Sequence, residues 1–287
     1  MKGYKYDTTI VVLNANLNIS NKMKKIVMIL LATTMLLSCK QEKTTTKEIV
    51  TKEFSTTENS ISDRSKNFPK EIAEVFKAHG GIQLFDMQET LTFEIVKPNG
   101  NEKHITDLKT RNARIESKNY TIGFDGEEAW VVQDSTYFKR DPRFYHNLMF
   151  YFYAMPFVLG DDGISYEKVT DLSVEGKSYP GYKITYEDGI GDSPKDNYFL
   201  YYDSTTFQMK YLGYTVTFFD KEISDKISLI QYSDWNDVNG LLLPKALQWR
   251  NFEKGVVGKI RKEVDFVNAV ATTEKKDISF YKKSTNE

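Results

Sequence analysis

Between Tyr198 and Trp249 the chain passes through four stretches, "YFLYYD", "YLGYTVTFF", "ISLIQYSDW" and "LLLPKALQW". They are β-branched or aromatic runs, and Asp, Ser, Asn and Gly separate them. The gaps are too short to hold crossover helices, so neighbouring strands must pair antiparallel. The same alternation occurs earlier. Leu91, Phe93 and Ile95 alternate with Thr92 and Glu94 before a "KPNG" turn, and Tyr182, Ile184 and Tyr186 alternate with Lys183 and Thr185. No internal repeat stands out. The pattern predicts a mainly β (α+β) chain built on one large curved antiparallel sheet.

Two segments depart from it. Pro69 suits the first turn of a helix, Ile72, Val75 and Phe76 share a face, and Gly80-Gly81 end it. This predicts one amphipathic helix of about three turns. The second segment is "DPRFYHNLMFYFYAMPFVLGDDG", residues 141–163. Phe144, Leu148, Tyr151 and Met155 recur at helical spacing, while Phe150, Phe152 and Tyr153 cover the other faces. A helix apolar all round needs cover on most sides, and Pro156 should kink or end it. It is either core or a plug in the mouth of the curved sheet.

The head of the chain carries an address. Lys24 and Lys25 precede an apolar run from Ile26 to Leu37, interrupted only by Thr33 and Thr34. As a helix it covers roughly 18 Å at ~1.5 Å per residue, short of the hydrocarbon core's ~30 Å. A secretory signal over residues 23–38 fits better than a membrane span. The run ends in Leu36-Leu37-Ser38-Cys39, which resembles the bacterial lipobox. The resemblance implies that Cys39 becomes the acylated first mature residue. The alternative is a buried cysteine in an apolar helix. Met23 followed by two lysines looks like the natural start, making residues 1–22 a spurious upstream extension. Cys39 is the only cysteine, so no disulfide forms within the chain. Removing residues 1–38 takes away five lysines and one aspartate and moves the net charge from −1 to −5. That balance argues against nucleic acid or anionic lipid headgroups as electrostatic partners.

Residues 39–67 hold ten Ser or Thr between Thr44 and Ser65 and few apolar side chains. They cannot offset the entropy of ordering and read as a tether. On this reading a chain beginning at Phe68 is as stable as one beginning at Lys40. The tether lacks the acidic cluster that some surface-exported lipoproteins carry, which favours an outer-membrane anchor with the domain facing the periplasm. One folded domain is expected over residues 68–283, as a monomer.

A short N-terminal helix, a meandering sheet and an apolar helix inserted between strands together resemble the LolA- and LppX-like fold, an incomplete barrel around helices. "YYDSTTFQMKYLGYTV" resembles that family's strand ending in Asp203 with a Thr-rich turn. "YSDWNDVNGLLLPKALQW" resembles its later motif, with a tight turn at Asn239-Gly240 and a Leu-Pro strand. "YFYAMPFVLGDDGISYE" and "GIGDSPKDNYFLYYD" resemble an uncharacterised group of bacterial lipoproteins given this fold. The resemblance covers roughly residues 68–270 and implies binding of acyl chains or lipid-linked cargo. The expected ligand cavity is lined by Phe144, Tyr145, His146, Leu148, Tyr151, Phe152 and Met155.

Candidate chemistry is sparse. His79, His104 and His146 are too scattered for a metal-ligand spacing. His79 is placed to meet a helix C-terminus as a cation, and His146 is the histidine nearest the expected cavity. Ser193 lacks the nucleophile elbow, and Asp188, Asp192 and Asp196 lack a calcium-loop pattern. Glu127 with Glu128, and Asp161 with Asp162, are adjacent and point to opposite faces in a strand. "GFDGEEAW" reads as a turn feeding a strand that buries Trp130. No catalytic residue, metal or cofactor is expected. The leading reading is a lipid-anchored binding or carrier module. A structural or interaction lipoprotein with a filled aromatic core comes second, and an envelope hydrolase third.

Overall fold

The computed structural model describes residues 64–187, 195–218 and 226–284. Cys39, the expected signal and most of the expected tether lie outside the described residues, as do Asp188, Asp192 and Ser193. The chain is mainly β. The first meander comprises β1 (Thr90–Ile95), β2 (Glu102–Asp107), β3 (Ala113–Ser117), β4 (Tyr120–Phe124) and β5 (Ala129–Gln133). The second comprises β6 (Ile164–Val174), β7 (Lys177–Tyr186), β8 (Tyr198–Tyr202), β9 (Met209–Tyr214) and β10 (Ser228–Tyr232). A hairpin of β11 (Trp235–Val238) and β12 (Leu241–Pro244) follows, then β13 (Ala246–Glu253) and β14 (Val256–Thr272).

Twelve strands form one antiparallel sheet in the order β5-β4-β3-β2-β1-β14-β13-β10-β9-β8-β7-β6. One long-range pairing joins the two meanders: β14 returns to β1, setting Thr272 opposite Thr90 and Phe266 opposite Ile95. Among the described residues β5 and β6 are unpaired edges, so the sheet is not closed. Turns sit where their chemistry requires them. Asn239 and Gly240 both adopt positive φ, 55° and 87°, joining β11 to β12 through a two-residue loop. Asp203 accepts the Thr205 and Thr206 N–H groups at 2.9 and 3.0 Å and pairs with Lys177 at 2.5 Å. Asp125 organises the turn before β5 in the same way, and Trp130 is buried.

α1 (Lys70–Ala78) buries Ile72, Val75 and Phe76 as its spacing requires, and the Gly81 N–H closes on the Phe76 carbonyl at 2.8 Å. A second short helix, α2 (Ile82–Asp86), follows the glycine pair at once. His79 is not the exposed cation its helix-end position suggests. It is fully buried, donates through Nδ1 to the Val75 carbonyl at 2.8 Å, and burial pulls its pKa down to about 4. Desolvation outweighs the helix dipole here.

The aromatic segment joins edge β5 to edge β6. It is two helices and a turn rather than one helix: α3 (Pro142–Tyr145), α4 (Leu148–Tyr153) and a 3-10 turn (Phe157–Gly160). Asp141 caps α3 by accepting the Arg143 N–H at 2.7 Å, with Pro142 at the first position. Asn147, a poor helix former, separates the two helices, and Pro156 stops any continuation. The segment crosses the inner face of the sheet. Phe138 and Tyr145 pack against Ile115 and Ile122 of β3 and β4. Tyr153 lies against Phe93 of β1 and Phe266 of β14, at ring separations of 4.3 and 4.4 Å. The Tyr232 hydroxyl of β10 donates to the Phe152 carbonyl at 2.8 Å, and the Tyr166 hydroxyl of β6 donates to the Leu159 carbonyl. The 3-10 turn stacks Phe157 on Phe85 of α2 at 4.8 Å.

The described residues begin four ahead of Phe68, at Arg64. Arg64 grips Asp86 with two bonds of 2.8 and 2.7 Å and donates to the Gly160 carbonyl at 3.0 Å. It thereby ties the chain at Arg64 to α2 and to the close of the aromatic segment. Arg64→Ala, or a chain beginning at Phe68, is expected to lose about 1–2 kcal/mol. The thermal midpoint should fall by ~2–4 °C for each kcal/mol; an unchanged midpoint in a melting experiment would show that these bonds add nothing.

Candidate functional site

Two cavities flank the aromatic segment, of about 400 and 440 Å³. Phe144, Leu148 and Phe152 line both and form the wall between them. The alternation of faces along α3 and α4 produces this division. Phe150 and Tyr153 turn into packed core, Met149 is buried but reaches the second cavity, and Phe144, Leu148 and Tyr151 stay partly exposed.

The first cavity has an aromatic lining that includes Tyr151, Tyr186 and Tyr198, with polar groups set into it. Arg111 binds both Asp161 oxygens at 2.7 Å and lies 5.4 Å from the Phe150 ring centroid. Burial pushes the Asp161 carboxyl up, and the Arg111 charge works against that rise. The Arg143 guanidinium stands 4.5 Å over the Phe124 ring, and the His146 ring lies 4.3 Å from the same ring. His146 donates through Nδ1 to the Arg143 carbonyl at 2.6 Å. Burial raises the Tyr186 and Tyr198 hydroxyls far above their ordinary range, so both stay protonated.

The second cavity lies between the segment and the inner face of β1, β13 and β14. Tyr145, Phe152, Tyr214 and Trp249 line it, and Trp249 donates to the Tyr214 hydroxyl at 3.0 Å. Beneath Tyr145 sits a buried polar cluster. Glu102, 1% exposed, takes Tyr145 Oη at 2.6 Å, His104 Nε2 at 2.9 Å and the Tyr120 hydroxyl. Lys97 approaches Glu102 to 3.7 Å. Burial alone would raise the Glu102 carboxyl. The His104 bond and charge, with the two tyrosine hydroxyls, overcome this and hold its pKa at about 2.

Of the residues expected from sequence, Phe144, His146, Leu148, Tyr151 and Phe152 line the first cavity, and Tyr145 lines the second. Met155 is fully buried in the main core and lines neither. Sequence reasoning did not single out Arg111, Arg143, Trp249 or the Glu102 cluster. One signal for the cluster was present: in "EKHITD", Glu102 and His104 fall two apart on one face of a strand. Among the described residues no group of three or more His, Cys, Asp or Glu is placed to hold a metal ion. No described helix is long and apolar enough to cross a membrane.

Residues 126–254 match the model of a family of unknown function (DUF6503). No curated protein matches the sequence. Among solved structures, the chain is similar to a LolA superfamily protein from Nitrosomonas europaea at 8% identity and a TM-score of 0.37, covering 73% of this chain and 96% of that one. It is also similar to a DUF1329 family protein from Desulfovibrio piger, at 9% identity and a TM-score of 0.41, over 73% and 94% of the two chains. A third is described as an outer membrane lipoprotein-sorting protein domain from Vibrio parahaemolyticus, at 8% identity and a TM-score of 0.37, over 75% and 97%.

Proposed function

We propose that this chain is an envelope lipoprotein, held to the outer membrane through Cys39, whose domain binds an apolar or acyl-chain ligand on the periplasmic side. One observation carries the binding reading: a pair of cavities of about 400 and 440 Å³ sharing Phe144, Leu148 and Phe152 as a common wall. Each is of the size of small-molecule pockets, and the aromatic lining suits a chain without hydrogen-bonding groups. The anchor rests on the signal pattern that ends at Cys39.

Saturable, one-to-one binding of a fluorescent fatty acid by the purified protein is expected. Tyr151→Ala should change that affinity by about threefold or more, while costing less stability than the ~3–5 kcal/mol of a fully buried aromatic. No saturable binding in wild type, with a large loss of stability in the variant, would return the segment to a purely structural role. Labelled fatty acid should enter wild type and not Cys39→Ser; an unlabelled wild type would remove the anchor.

A further inference from the structure

The second cavity differs from the first in its rim. Lys97, Arg140, Arg261 and Lys262 line it, against Glu263 and Asp265. On β14, Lys262, Val264 and Phe266 alternate onto one face, and Phe266 is core. Lys262 therefore stands on a face that is apolar farther along the strand. It pairs across strands with Trp249, and its ammonium lies 4.7 Å from the Trp249 ring centroid. Arg140 lies 5.3 Å from the Tyr145 ring centroid.

Among the described residues Arg140, Arg261 and Lys262 form no ion pair, while Lys97 approaches Glu102. The carboxylates nearby do not supply the missing partners. Glu263 is held by Gln248 across the strand pair, and Glu102 is buried beneath Tyr145. Burial lowers the Lys262 pKa, and the charges of Arg140, Lys97 and Arg261 lower it further. The four cations thus line one cavity mouth with low-dielectric walls, and the other three act against the charge of Lys262. Such a wall focuses their field on whatever enters.

We propose that this cavity takes an anionic amphiphile, its chain lying against Phe152 and Trp249 and its phosphate or carboxylate head meeting Arg140, Arg261 and Lys262. The proposal rests on the binding reading above and adds the chemistry of the head. A bound anion relieves the repulsion that Lys262 meets at the rim, and guanidinium groups suit a phosphate or carboxylate in a way that a neutral head cannot use.

The test is calorimetric titration with four probes: dodecyl phosphate, dodecyl maltoside, inorganic phosphate and phosphatidylglycerol vesicles. Wild type is expected to bind dodecyl phosphate one-to-one below its micellar range, about tenfold or more tighter than dodecyl maltoside. The preference should shrink as salt rises. Trp249 emission should shift on binding. Arg261→Gln with Lys262→Gln should bring the two affinities together, with an unchanged thermal midpoint as the check on folding. Equal affinity for the two amphiphiles in wild type would overturn the headgroup assignment and leave the apolar site standing. Inorganic phosphate binding as tightly as dodecyl phosphate would overturn it in favour of a free-anion site. Association seen only with phosphatidylglycerol vesicles, without a stoichiometric complex, would overturn it in favour of a membrane-facing surface. If neither amphiphile binds, the binding reading falls as well.

Discussion

Glu102→Ala is expected to destabilise the domain by about 3–5 kcal/mol, as removal of one partner from a buried charged network does. The carboxylate is the shared acceptor for His104, Tyr120 and Tyr145. Without it, His104 and Tyr145 are left as buried donors and the partly buried Tyr120 loses its acceptor. Glu102→Gln keeps the volume and one acceptor oxygen and should cost less. The same group sets an acid limb. Its folded pKa of about 2 lies below the ordinary carboxylate value of 4.5, so the folded state favours the charged form. That contribution is complete above about pH 5 and is lost as the pH falls towards 2. It amounts to about 3 kcal/mol at most. Denaturant unfolding of wild type and Glu102→Gln across this window should show the wild-type curve falling more steeply. Parallel curves would mean that the carboxylate is not bound as described.

Tyr153 gives the second large effect, and it has two signs. The side chain is fully buried between Phe93 and Phe266, and burial pushes its hydroxyl pKa up. That hydroxyl has no hydrogen-bond partner among the described residues. Tyr153→Ala should cost ~3–5 kcal/mol through lost transfer energy and the cavity left behind. Tyr153→Phe removes only the unsatisfied group, whose burial carries a penalty of about 1–3 kcal/mol, and should be neutral or stabilising. Chemical denaturation of the three proteins decides it. A Tyr153→Phe variant less stable than wild type would reveal a partner for the hydroxyl.

Local features were legible because local rules set them. Leu91, Phe93 and Ile95 alternate and are buried, Asn239-Gly240 makes its two-residue turn, and Gly80-Gly81 end α1. What joins distant positions was not legible. Nothing in the periodicity of β14 says that it pairs with β1, because many strands offer a compatible apolar face. The Glu102 cluster draws Tyr120 from β4 and Tyr145 from α3, so its members look unrelated until the sheet forms. The cation rim was hidden for the same reason: Lys97, Arg140 and Lys262 are ordinary surface charges until β1, β14 and the aromatic segment meet. His79 misled because position along a helix says nothing about cover, and Trp235 packs edge-on against its ring with centroids 4.4 Å apart.

The two edges left unpaired among the described residues decide how the molecule meets its own copies. An open sheet offers a row of backbone donors and acceptors at each end, and a long flat edge invites a second chain to extend it. β6 is eleven residues long, but its pairing with β7 breaks register between Val169 and Leu172, which bends the edge. It also carries Glu167, Lys168 and Asp171, charges that a neighbouring copy laid against the strand would have to desolvate. At β5 the chain folds back on itself: the Gln133 side chain accepts the Phe138 N–H at 2.7 Å and donates to the Phe138 carbonyl at 3.2 Å. Each edge thus carries its own obstacle to extension, and the sheet can stay open over its apolar inner face without recruiting a thirteenth strand from another chain.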